Sequence, residues 1–147
     1  MGMLPERILL ATDGSEDAER ASMAAMDLAG RGDADLHVVH VWHDVRGFAH
    51  DFVKRELRRQ GQEILDEQVR KIEEEGGSVQ QAHLRRGRKD QEIVRLAEEI
   101  GAGLIVIGSR GRGGVRRALM GSISDSVVRH AHCQVLVVRK EKEQAAL

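Results

Sequence analysis

Five glycines and four arginines fall between Gly108 and Ser122, and the first acidic residue after them is Asp125. Glycines let backbone N–H groups turn inward and approach a ligand closely. Arginines supply charge where a polyphosphate would repel itself. The apolar residues Ile123, Val127 and Val128 begin a helical period immediately after Gly121-Ser122. The N–H groups of Ser122, Ile123 and Ser124 would therefore stand at a helix start, a natural phosphate site. Each feature has a plainer explanation: Ser122 and Asp125 have the spacing of a capping box, surface glycines mark turns, and arginines are often just solvated. Together in one loop they favour anion binding.

Other chemistries fail on spacing. No Gly-Lys pair exists, so a Walker A loop is excluded. A Gly-x-Gly-x-x-Gly fingerprint starting at Gly111 meets Arg116 at its last position. There is no Gly-x-Ser-x-Gly nucleophile elbow. His37, His40 and His43 crowd one strand, but His37 and His40 point to opposite faces of it. His130, His132 and Cys133 lack the spacing of a zinc module. Cys133 reads as a small buried residue and not as a redox thiol. The basic run Arg85-Arg86-Gly87-Arg88-Lys89 could face an acidic partner or simply be a polar edge loop.

The elements that must position the glycine-rich loop alternate along the chain. Ile8 to Ala11 is a continuous apolar run, the mark of a strand covered on both faces. Thr12-Asp13-Gly14-Ser15 is a turn, and Ser15-Glu16-Asp17 a helix start. Ala18, Ala21, Ala25, Leu28 and Ala29 share one face of that helix, which Gly30 and Gly32 should end. A second strand spans 36–42, and a helix from about 51 to 75 turns Val53, Leu57, Gly61, Ile64, Leu65 and Ile72 inward. A polar third strand is expected over 79–85 and a third helix around Ile93, Leu96, Ala97 and Ile100. Leu104 to Ile107 forms a central fourth strand. The fourth helix follows the loop, and Val135 to Val138 is the fifth strand. Residues 1–139 make one domain, and 140–147 form a charged tail.

This alternation predicts an α/β fold: a single doubly wound, Rossmann-like parallel sheet of five strands, order 3-2-1-4-5, with four helices. The direction of winding reverses between strands one and four, and ligands collect outside the carboxyl ends of strands at such a point. Asp13-Gly14-Ser15 and the glycine-rich loop both lie there.

Composition bounds the rest. A chain of 147 residues, 41% hydrophobic and 32% charged, makes one domain with a genuine core. Charges interrupt every apolar run, so no membrane span is expected. The N-terminus lacks the pattern of a signal peptide, and a lone cysteine suits a cytoplasmic location. A net charge of −1 and three aromatic residues argue against nucleic acid as a partner.

The spacing Gly108-x2-Gly111-x9-Gly121-Ser122 resembles the nucleotide-binding signature of the universal stress protein family, in its ATP-binding branch. The opening Ile8-to-Ser15 segment and the closing Cys133-to-Val138 segment resemble that family's first and last strands, apart from Gln134, where the family often has proline. The resemblance covers nearly the whole chain. It implies that Ala11, Thr12 and Asp13 end strand one beside adenine and ribose, and that Val41 reads adenine through its backbone. It places Gly108, Ser109, Arg110, Gly111 and Arg112 around ribose and phosphates, and Gly121, Ser122 and Ile123 at the distal phosphates. ATP is the implied cofactor, with Mg²⁺ held mainly by phosphate oxygens. A homodimer through the fifth strand is implied, with a regulatory role in stress responses through dimer or partner contacts. The rival readings are a slow ATPase or adenylyl-transferring enzyme, and a partner-binding module that holds no nucleotide. Adenylyl transferases of related architecture carry His-x-Gly-His, absent here. Asp13 is the only carboxylate expected near the loop, so hydrolysis should be weak at most.

Overall fold

The computed structural model describes residues 4–43, 51–110 and 121–140. Five strands, β1 (Arg7–Ala11), β2 (Asp35–Trp42), β3 (Gln81–Arg86), β4 (Leu104–Gly108) and β5 (Gln134–Val138), alternate with four helices. The helices are α1 (Glu16–Gly32), α2 (Asp51–Glu74), α3 (Lys89–Ile100) and α4 (Ser122–His130). All pairings are parallel, and the order is β3-β2-β1-β4-β5. Leu9 sits opposite His37 on one side and Ile105 on the other. This is the order expected from the apolar runs, and β1 and β4 are the neighbours at which winding reverses.

The two faces of the sheet bury two separate clusters. Leu9, Val39, Val41, Ile105 and Ile107 pack against Ile93, Leu96 and Ala97 of α3 and Val127 of α4. Ile8, Leu10, Val38 and Val106 pack against Ala21 and Ala25 of α1 and Leu65 and Ile72 of α2. Alternate residues of each central strand thus serve opposite cores, which is why those strands read as unbroken apolar runs.

Several boundaries differ from the sequence reading, each for a local reason. The first helix continues through Gly30 and Gly32 and stops at Asp33, which adopts the left-handed conformation (φ 50°) and returns its N–H to the Ala29 carbonyl. The third strand runs from Gln81 to Arg86, not 79–85, over the residues whose partners are His37 to Trp42 of β2. Helix α2 ends at Glu74. Its inward face begins at Gly61, while Val53 is exposed and Leu57 only half-buried. A helix of 24 residues is about 36 Å long, whereas the eight-residue β2 spans about 26 Å, so one end of α2 overshoots the sheet.

Candidate functional site

The loops that leave the carboxyl ends of β1 and β4 meet in one crevice, flanked by the first turns of α3 and α4. Ala11, Thr12 and Asp13 line its β1 side, with Val41 beside them. Gly108, Ser109 and Arg110 come from the end of β4, and Gly121, Ser122 and Ile123 from the start of α4. The structure therefore brings together ten of the twelve residues singled out from sequence. The other two, Gly111 and Arg112, lie outside the described residues.

Each wall has an identifiable cause. Asp13 Oδ1 accepts the Ser15 N–H at 2.9 Å, and Ser15 caps α1 by accepting from the Ala18 N–H at 3.2 Å. Thr12 is buried; its hydroxyl donates to Gln68 Oε1 of α2 at 2.8 Å, and its carbonyl lies 2.7 Å from His40 Nδ1. These bonds fix the exit of β1 from below the sheet. On the other side, the Ser109 N–H donates to the Val138 carbonyl of β5 at 2.9 Å. The Ser109 carbonyl accepts from the Gly121 N–H and, at 2.8 Å, from the Ser124 hydroxyl.

The start of α4 differs from the capping box that Ser122 and Asp125 could have made. Gly121 is the cap residue, no side chain among the described residues caps the helix, and Ser122 is its first, exposed residue. The first-turn N–H groups thus line the crevice without a side-chain acceptor among the described residues, where an anion is favoured. A Cβ on Gly121 would stand 3.0 Å from the Ser109 carbonyl oxygen, so glycine permits the close approach of α4 to β4.

Two residues missed by sequence reading belong here. Lys89, the first residue of α3, lines the crevice from the β3 side. Its neighbours are paired, Arg85 with Glu99, Arg88 with Asp90 and Arg95 with Glu92, whereas Lys89 has no ion pair with a described residue. A lysine at the positive end of a helix dipole opposes local preference, which marks a position shaped by something other than helix stability. The second is Asp17, whose carboxylate reaches the loop after β4: Oδ2 accepts from Ser109 Oγ at 2.9 Å and from the Arg110 N–H at 3.1 Å. Asp13 is therefore not the only carboxylate near the loop. Both acceptor oxygens of Asp17 are engaged, since Oδ1 takes Arg20 Nη1 at 2.6 Å.

The helices flanking the crevice are tied to each other. Ser126 of α4 donates to Asp90 Oδ2 of α3 at 2.7 Å, and Arg88 binds the same carboxylate. Burial pushes the Asp90 carboxyl up, but the Ser126 and Arg88 bonds outweigh it and hold it below the usual range. His40 supports the crevice wall through Thr12, whereas two other histidines pair at the sheet edge. His37 Nδ1 is 3.1 Å from His83 Nε2 in a stacked pair at the β2–β3 edge, and burial lowers both pKa values. Cys133 is half-buried against the α3–α4 core, and burial raises its thiol. Among the described residues no three His, Cys, Asp or Glu side chains converge as a metal site, and no helix is long and apolar enough to cross a membrane.

Sheet order and crevice together define a doubly wound α/β domain with its candidate site at the topological switch point. The universal stress protein family model matches residues 5–139, and the chain belongs to that family. It is 35% identical to universal stress protein MJ0531 of Methanocaldococcus jannaschii, over 96% of this chain and 86% of that protein. Among solved structures, hypothetical protein MJ0577 superposes with a TM-score of 0.81 at 26% identity, covering 94% of this chain and 98% of that one. A universal stress protein from Archaeoglobus fulgidus, solved in complex with dAMP, gives a TM-score of 0.69 at 28% identity, covering 92% and 99%.

Proposed function

We propose that this chain is an ATP-binding regulatory protein of the stress response, acting in the cytoplasm, whose nucleotide occupancy changes its dimer or partner contacts. The observation that carries the reading is the uncapped first turn of α4 beside Ser109 and Arg110, at the switch point of the sheet. Backbone amides there would take the distal phosphates, and Arg110 would add charge. Ala11, Val39, Val41, Ile93 and Ile107 give the other part of the crevice an apolar lining suited to a purine. The A. fulgidus relative's complex with dAMP supports a purine nucleotide as the ligand class. A magnesium ion accompanying the triphosphate would take its ligands chiefly from phosphate oxygens. Dimerisation would use β5, an edge strand with Leu136 exposed.

The test is calorimetric titration with ATP, AMP and dAMP, with and without Mg²⁺, alongside mass spectrometry of any nucleotide released on denaturation. Sedimentation of the protein with and without ATP reads the dimer. Saturable binding of ATP with a change in sedimentation is expected. No binding of any of the three nucleotides refutes the reading.

A further inference from the structure

Asp17 lies in the first turn of α1, where a carboxylate needs no explanation beyond the helix dipole. Its contacts go further. Its side chain is only 15% exposed, and it receives three donors: Arg20 from its own helix, and the Ser109 hydroxyl and Arg110 N–H from 92 and 93 residues away. The backbones touch as well. A Cβ on Gly108 would fall 2.8 Å from the Asp17 carbonyl carbon, so glycine lets the end of β4 lie flat on α1. Ser109, drawn down by its hydroxyl, directs its carbonyl to the Gly121 N–H and the Ser124 hydroxyl at the start of α4.

We infer that Asp17 is the positioning residue of the anion cradle. Its carboxylate holds Ser109 and Arg110 on α1, and Ser109 in turn fixes the first turn of α4 before any ligand arrives. This rests on the nucleotide reading above for the identity of the ligand, but the positioning itself is a property of the free protein. A preformed cradle spares the ligand the cost of ordering the loop. The charge of Asp17 makes the inference sharp. As a bare anion beneath a triphosphate, Asp17 would only repel it, so its removal would tighten ATP binding. As a positioning residue, its removal loosens the cradle and weakens ATP binding.

The experiment compares the wild type with Asp17→Ala and Asp17→Asn, the latter keeping one oxygen acceptor while losing the charge. Asp17→Ala is expected to weaken ATP at least tenfold while leaving adenosine within about twofold, and Asp17→Asn to restore most of the loss. ATP affinity in Asp17→Ala equal to or tighter than in the wild type overturns the inference. Hydrogen exchange on the ligand-free proteins separates this from a failure of the nucleotide reading. The amides of Arg110 and Gly121, which donate to Asp17 Oδ2 and to the Ser109 carbonyl, should exchange at least tenfold faster in Asp17→Ala, with β1 unchanged. Unchanged exchange overturns the positioning role whether or not ATP binds. Circular dichroism confirms that both variants are folded.

Discussion

Replacing Gly108 by alanine tests the contact between β4 and α1 directly. Gly108 does not have a positive φ, so alanine incurs no backbone strain there, and the whole effect must come from packing. The added Cβ would sit 2.8–2.9 Å from the carbonyl carbon, carbonyl oxygen and Cβ of Asp17. Two of those three atoms are backbone within a helix, so no side-chain rotation relieves the clash; α1 or the end of β4 must move. Overpacking of this kind costs about 1–3 kcal/mol. In a domain of this size each kcal/mol lowers the melting temperature by roughly 2–4 °C, so Gly108→Ala should melt about 2–12 °C lower. Gly30→Ala is the control of opposite sign. It lies within α1, and nothing stands within 4 Å of its Cβ, so alanine should stabilise by about 0.5–1 kcal/mol. Thermal and urea melts of both variants decide the matter. A Gly108→Ala protein as stable as the wild type would show that β4 and α1 are not packed as described.

Lys89→Glu should weaken ATP by roughly 1–2 kcal/mol, about five- to thirtyfold, yet raise stability by about 0.3–1 kcal/mol through the α3 dipole; calorimetry and melting read the two opposite signs. Burial depresses the pKa of His37 and His83 below the ordinary 6.5, so the unfolded chain takes up protons more readily than the folded one as pH falls through that value. Stability should therefore be full above pH 6.5 and decline below it, and His83→Asn should flatten that decline in urea midpoints measured between pH 7.5 and 5.5. Cys133, its thiol raised by burial, should react with an aromatic disulfide reagent at pH 8 more slowly than free cysteine, and at the same rate once urea unfolds the chain.

The sheet was legible because burial on both faces leaves a signature that needs no partner to be read. Ile8–Ala11 and Leu104–Ile107 are continuous apolar runs, and the polar Gln80, Gln81 and His83 argued for an edge. Knowing the order located the crevice, since switch-point geometry follows from connectivity. What escaped reading was long-range or locally contrary. Asp17 looked like an ordinary first-turn acid because its partners are 92 and 93 residues distant. Lys89 looked like the end of a basic run that could face an acidic partner or simply form a polar edge loop, because only the fold brings the start of α3 across to the end of β1. The stop of α1 at Asp33 was hidden by two glycines that signal termination but lie inside the helix.

The overshoot of α2 leaves a stretch of chain that contributes no residue to either described core. From Asp51 to Gln60 no residue is buried, and Phe52 is 75% exposed. Neighbouring turns are instead laced by Arg59 to Glu56 and Glu63, attractions that dissolved salt readily dims. Lengthening, trimming or recharging this overhang would therefore leave both described cores as they are.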